Sequence, residues 1–214
     1  MERDLSAYRK VYEKNRLLES DIPSDALELF HQWLQEAERV GGQYEVNAVS
    51  LSTIGQDGSP DTRIVLLKGY NKEGFIFYTH YQSRKGQSIA QDPRVCLSFF
   101  WPDVQRQVII KGKAVKIPED QSNEYFYQRP VNSQIGSWAS EQSRVIPSRS
   151  HLEERFEFWK NHFETHDLER PDFWGGYRVQ PSEIEFWQGR PDRLHDRICY
   201  TLKGKEWRTE RRSP

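Results

Sequence analysis

The segment RPDRLHDR, residues 190–197, gathers three arginines and a histidine in a chain whose formal net charge is only −1. If the strand texture of the preceding EIEFWQG continues, Arg193, His195 and Arg197 stand at i, i+2 and i+4 and leave one face. Leu194, Asp196 and Ile198 then take the other face. Like charges stacked on one face repel, so the spacing calls for an anionic ligand. Asp192 and Asp196 are interleaved with the arginines and suit holding them in place better than paired acid–base work.

Three other stretches raise the same question. In YTHYQSRKG (78–86), Ser83 suits a helix N-cap, which puts Arg84 and Lys85 in the first turn. Cations there oppose the helix dipole by about 0.3 kcal/mol each, whereas a phosphate would meet free N–H groups, the dipole and two cations together. In DTRIVLLKGY (61–70), strand alternation puts Arg63, Val65 and Leu67 on one face and Ile64, Leu66 and Lys68 on the other. Lys68 thus follows two large aliphatics on a face expected to be buried. A lysine there needs a partner or a ligand, unless it lies past the strand end and snorkels out. In NEYFYQRPVNSQIGSWASEQS (123–143), Tyr125 and Arg129 share a helix face, Pro130 ends that helix, and Ser133 stands where it could cap the next. A fork of charge beside two hydroxyls fits a phosphate. Taken singly, each stretch also has a bland reading: solvated cations, or a helical turn with an ion pair.

The elements that must position these groups follow from periodicity. Residues 3–18 read as a polar helix or arm. DIPSDALELFHQWLQEAERVGG (21–42) reads as a helix capped by Ser24, with a stripe of Leu27, Phe30, Leu34 and Ala37, ended at Gly41-Gly42. Five strand-like runs follow between residues 45 and 117, joined in part by the turns GQDG and NKEG and interrupted by a short helix, SRKGQSIAQDP. More helix spans roughly 118–163, and three closing strands include GGYRVQP with EIEFWQG, RLHDRICYTL and KEWRTERR. The pattern predicts the α+β class: one antiparallel barrel with helices packed on it, residues 21–214 as a single domain, and 1–20 as a mobile N-terminal arm.

Composition removes several alternatives. Thirty-one basic residues against 32 acidic leave no global field for nucleic acid or membrane, so anion recognition must be local. No apolar run approaches the about 18 residues of a membrane span, and the charged N-terminus lacks a secretory core, which together predict a cytoplasmic protein. Cys96 and Cys199 lie in apolar runs and read as reduced core residues. There is no Walker loop, no G-x-G-x-x-G after a strand, no H-E-x-x-H and no G-x-S-x-G. His162 and His166 are four apart and read as a surface pair, so no metal is expected.

In their order and spacing, RIVLLK (63–68), FYT and SRK (77–79, 83–85), RQV (106–108), YFYQRPVNSQIGSW (125–138), FWGGYRV (173–179), and IEFWQG with RLHDR (184–197) resemble the pyridoxine/pyridoxamine 5′-phosphate oxidase family. The resemblance runs from about residue 20 to the C-terminus. It implies an FMN-binding split β-barrel with peripheral helices and a homodimer with FMN at the interface. It also implies oxidation of pyridoxine or pyridoxamine 5′-phosphate by O2 to pyridoxal 5′-phosphate, with release of H2O2. Carried over residue by residue, it assigns FMN to Arg63, Ile64, Val65, Leu66, Leu67, Lys68, Tyr78, Thr79, Arg84, Lys85, Gln107, Gln142, Ser143, Trp187 and Arg197. The substrate phosphate goes to Lys68, Tyr125, Arg129 and Ser133. Arg193 and His195 lie against the substrate ring and, with Arg197, form the catalytic group. Arg9 and Tyr12 belong to an arm that closes over the substrate. The polar ending ERRSP departs from the more apolar family ending. A split-barrel flavin reductase with another acceptor, and a flavin or pyridoxal phosphate binding module, are the competing readings.

Overall fold

The computed structural model describes residues 3–8, 10–41 and 45–214. After a 3-10 turn at Glu19–Asp21 the elements run α1 (Ala26–Val40), β1 (Ala48–Ile54), β2 (Pro60–Leu66), β3 (Gly69–Asn71), β4 (Gly74–His80), α2 (Arg84–Gln91), β5 (Arg94–Trp101) and β6 (Arg106–Lys116). They continue with α3 (Glu119–Gln128), α4 (Val131–Ala139), α5 (Arg149–His162), β7 (Trp174–Gln188), β8 (Asp196–Lys203) and β9 (Glu206–Arg211). The strands order as β2-β1-β5-β6-β7-β4-β3, with β8 paired to β7 and β9 to β8. This is the expected α+β fold, an antiparallel split barrel with peripheral helices.

The chain divides into two compact units, residues 1–49, 97–111 and 181–214 in the first and 50–96 with 112–180 in the second. In the first, α1 is capped by Asp25, whose carboxylate accepts the Leu27 N–H, rather than by Ser24. Its buried stripe is Ala26, Leu29, Phe30, Trp33, Leu34 and Ala37, so Leu27 lies at the margin. Phe30 packs on Phe99 at 5.3 Å and Trp33 edge-on against Phe186 at 5.1 Å. Each such ring, fully buried, contributes about 2 kcal/mol. Gly41 ends the helix; Gly42 lies outside the described residues.

In the second unit β4 and β7 pair antiparallel, with Phe77 opposite Tyr177 and Tyr78 opposite Gly176. Gly176 lets the layers approach closely: a Cβ there would have to displace the Ile117 side chain and would lie 2.9 Å from the Tyr78 ring. Trp138 of α4 packs on Trp159 of α5 at 4.9 Å.

Three expectations are corrected. The described part of residues 3–18 forms no helix; the backbone N–H groups of Glu13, Lys14 and Leu17 bond to side chains of the body instead, that of Leu17 to Asp196 Oδ2 at 3.0 Å. In the 61–70 stretch the faces are reversed: Val65 and Leu67 are buried, while Ile64 is 63% exposed. Finally, Arg193, His195 and Arg197 do not share a strand face. β7 ends at Gln188, Pro191–Arg193 make a 3-10 turn, and β8 begins at Asp196. Pro191 offers no N–H to a ladder, and Asp192 and Arg193 take left-handed backbone (φ 57° and 63°), so the chain reverses within the motif.

Candidate active site

A cavity of about 610 Å³ lies within the second unit. It is lined by Ile64, Val65 and Leu66 at the end of β2, Lys68 just past it, Tyr78 and Thr79 of β4, Lys85 of α2, Tyr125 and Arg129 at the end of α3, Ser133 of α4, and Gln142. Eleven residues named from the sequence therefore meet in one place. Lys68 sits beyond the strand end, exposed, with its N–H bonded to Ile76 O. It is therefore a pocket lysine on a free stem rather than a core lysine.

At one part of the cavity Ser83 caps α2 as expected, its hydroxyl accepting the Gly86 N–H. Lys85 is buried, and its Nζ donates to Gln142 Oε1 at 2.7 Å and to Ser83 Oγ at 3.3 Å. Both partners are neutral, and among the described residues Lys85 has no ion pair. Burial, then the charge of Arg63, lowers its amine to about 8. Arg63 is held by Thr53 Oγ1 at 2.7 Å and Leu51 O at 3.3 Å, and its pKa is lowered by burial. Arg84 turns outward and pairs with Asp61 at 2.8 Å.

At another part, Arg129 Nη1 donates to Ser137 Oγ at 2.7 Å, which in turn donates to Ser133 O at 3.1 Å. The Arg129 guanidinium lies over the Trp174 ring, 4.5 Å from its centroid. Trp174, Tyr78 and Tyr125 are near-parallel, with Tyr78 and Tyr125 at 4.0 Å. Burial lowers the Arg129 pKa, and no described carboxylate pairs with it. Pro130 precedes α4, so Ser133 lies inside its first turn rather than capping it. Leu67 points into the core, and none of Arg63, Arg84 and Ser143 lines the cavity.

The remaining expected residues lie in the first unit. Tyr12 packs edge-on against Trp187 at 5.7 Å and against His195 at 5.9 Å, and Trp187 meets His195 at 4.6 Å. The Arg190 N–H donates to His195 Nδ1 at 3.0 Å. Burial and the Arg193 charge lower the His195 pKa, against the opposing effect of Asp196. Arg197, opposite Trp187 in the β7–β8 register, bonds through two nitrogens to Glu185, each at 3.0 Å. Gln107 Nε2 donates to Ser98 Oγ at 3.2 Å. Arg9 lies outside the described residues. Asp196 pairs with Arg190 at 3.5 Å, the holding role expected of it, and more closely with Arg211 at 2.8 Å, outside the motif; Asp192 makes no ion pair among the described residues.

Sequence reasoning passed over Trp174 and Ser137. Ser137 could have been found from its position four residues after Ser133, on the same helix face. Among the described residues no cluster of His, Cys, Asp and Glu could hold a metal, His162 and His166 simply stack at 4.0 Å on the surface, and neither cysteine forms a disulfide, Cys199 being buried and Cys96 only half-buried. No described helix is long and apolar enough to cross a membrane.

Strand order and pocket together define the class, an antiparallel split barrel whose cavity carries cations held by uncharged partners. The chain belongs to the pyridoxamine 5′-phosphate oxidase family and is an oxidoreductase. A family model described as pyridoxamine 5′-phosphate oxidase matches residues 38–163. One described as the pyridoxine 5′-phosphate oxidase C-terminal dimerisation region matches 174–214. A pyridoxine/pyridoxamine 5′-phosphate oxidase of Flavobacterium johnsoniae is 54% identical over 211 residues, covering 98% of this chain and 99% of its own. Among solved structures, PhzG from Burkholderia lata, in complex with tetrahydrophenazine-1-carboxylic acid, superposes with a TM-score of 0.83. It is 31% identical and covers 91% of this chain and 95% of its own. A pyridoxamine 5′-phosphate oxidase-related, FMN binding protein from Nostoc punctiforme shares the fold at TM-score 0.70 and 14% identity, covering 90% of this chain and all of its own.

Proposed function

We propose that the protein oxidises pyridoxine 5′-phosphate and pyridoxamine 5′-phosphate to pyridoxal 5′-phosphate in vitamin B6 metabolism, with FMN as cofactor, O2 as acceptor and H2O2 as the second product. The observation that carries this reading is the presence in one cavity of Lys85 and Arg129, each held by neutral oxygens and neither paired with a described carboxylate. Two such cations suit two phosphate monoesters. The start of α2, with its cap, its dipole and Lys85, fits the FMN phosphate, with Arg63 behind it and Arg84 at its rim. Lys68, Tyr125, Arg129 and Ser133 suit the substrate phosphate. Strand-end residues 64–67, Tyr78, Thr79 and Gln142 would border the flavin.

Bound FMN would supply the hydride acceptor and the route to O2. The chain's own part is placement and charge. Arg129, held by Ser137 and Trp174, fixes the substrate phosphate, and with it the reacting carbon. Arg193 and His195 are assigned to the substrate ring and Arg197 to the flavin, where a cation stabilises developing negative charge. Gln107, Ser143 and Trp187 complete the flavin surroundings in a homodimer with FMN at the interface, and Arg9 and Tyr12 belong to the arm that covers the substrate. The dimerisation-region match supports the dimer.

The test is a visible spectrum of FMN-loaded protein without O2, before and after pyridoxine 5′-phosphate. Bleaching on addition and recovery in air support the oxidase. Persistent flavin bands with FMN still bound would overturn the substrate assignment and favour a binding module or a reductase with another acceptor.

A further inference from the structure

Gln105 is buried, 3% exposed, in left-handed backbone with φ 56°, a conformation uncommon for a residue with a side chain. Its side-chain amide is spent on the N-terminal arm. Gln105 Oε1 accepts the backbone N–H groups of both Glu13 and Lys14, at 3.0 and 3.1 Å, and Nε2 donates to Val11 O at 3.5 Å. Its own carbonyl accepts the Gly189 N–H at 2.8 Å and Gln188 Nε2 at 3.2 Å. One residue thus ties residues 11–14 to the end of β7, immediately before RPDRLHDR.

Tyr12 lies inside the segment that this amide holds. Its ring is set against Gly189, where a Cβ would come within 2.8 Å of Tyr12 Cβ and Cγ, and it covers Trp187 and His195. Lys14 Nζ adds a bond to Asp103 O at 2.7 Å, and Arg190 Nη1 one to Asn15 O at 3.1 Å. The Lys14 bond is exposed, whereas those of Arg190 and of the Gln105 amide are partly buried, and the Gln105 side chain is itself buried, which raises the cost of leaving its amide unbonded. The side chain has no other bonded partner among the described residues.

We infer that Gln105 is a positioning residue: its side-chain amide fixes residues 11–14 so that the Tyr12 ring is held over Trp187 and His195. Its strained backbone is the conformation that aims the amide at the arm while its carbonyl receives Gln188 and Gly189. Only the kinetic consequence rests on the proposed substrate role of Tyr12 and His195; the positioning does not.

The experiment compares the full-length parent with Gln105→Met, which keeps side-chain length and removes the amide. Tryptic cleavage after Lys14 in the folded protein is expected to accelerate about tenfold, the equivalent of losing one to two partly buried hydrogen bonds. The His195 imidazole, followed by NMR, is expected to titrate at higher pH once the Tyr12 ring no longer dries it. If the Met variant fails to fold, Gln105→Gly, which suits the left-handed backbone, gives the same readouts. Unchanged cleavage together with an unmoved His195 titration overturns the inference. Faster cleavage and a shifted titration with unaltered KM and kcat uphold the positioning and count against the substrate role of Tyr12.

Discussion

The guanidinium of Arg129 rests 4.5 Å over the indole of Trp174 while its Nη1 donates to Ser137. The fork is thereby fixed before any ligand arrives. Arg129→Ala should raise KM for pyridoxine 5′-phosphate by about 10- to 100-fold with a smaller change in kcat, the value of a charge-assisted hydrogen bond. Ser137→Ala should raise it by about 3- to 5-fold through a looser fork. Steady-state kinetics decide; an unchanged KM in the Arg129 variant would remove it from the substrate site.

Lys85 should make FMN binding pH-dependent. Its amine titrates at about 8 in the fold against 10.5 when free, so the folded protein binds fewer protons than the unfolded chain between those values. On this group alone, the ligand-free protein gains stability as pH rises through that window. A phosphate favours the ammonium form, so affinity should move the other way, falling by up to about tenfold per pH unit above 8. Fluorescence titration of FMN at pH 7 and 9.5 measures this, and Lys85→Met should flatten the dependence. A parent protein with equal affinity at both pH values would contradict the assignment.

Gly86 sits in the first turn of α2, where a Cβ would collide with the Tyr81 carbonyl. Backbone cannot yield cheaply, so Gly86→Ala should cost about 1–3 kcal/mol. At about 2–4 °C per kcal/mol for a chain of this size, the melting temperature should fall by about 2–12 °C. FMN affinity should fall with it, because the helix start carries Lys85. A melt within 1 °C of the parent's, on the order of experimental error, would show that the helix can shift freely.

Glu185 is shared between Arg197, at 3.0 Å, and Arg212, at 3.2 Å, and Arg197 Nη1 also donates to Ser213 O at 2.8 Å. The polar ending thus has its own packing. Because both arginine side chains are about one-third exposed, Glu185→Gln should cost about 1–2 kcal/mol, not the larger loss of a fully buried pair. Arg212→Leu, which leaves the Arg197–Glu185 pair in place, should cost less than about 1 kcal/mol. Urea unfolding of both variants tests the order; equal losses would show that Arg212 carries the cluster.

What could be read from the sequence was local or carried by spacing. The Ser83 cap and the cations beside it were legible because a helix start has its own chemistry, and Lys85 does sit in the cavity. Tyr125 and Arg129 were legible from helical spacing. Strand alternation sorted residues 63–68 correctly into two faces but could not say which is covered; sheet partners decide that, burying Val65 and exposing Ile64. The helical texture of residues 3–18 was overruled by bonds to residues about ninety and more positions away, Gln105 and Asp196. RPDRLHDR was misread as strand because a continuing period looks the same as one that is about to reverse. Trp174 entered the site through its register with β4, which no single segment reveals.

The bond from the Arg190 N–H to His195 Nδ1 has a chemical consequence. An imidazole nitrogen that accepts carries no proton, so the neutral ring holds its hydrogen at Nε2. Toward any ligand on that side His195 offers a hydrogen and not a lone pair. It can polarise an oxygen or nitrogen, but it can remove a proton only after the turn at 190–195 lets go. In this geometry the histidine is an electrophile's handle rather than a base, and the turn is what keeps it so.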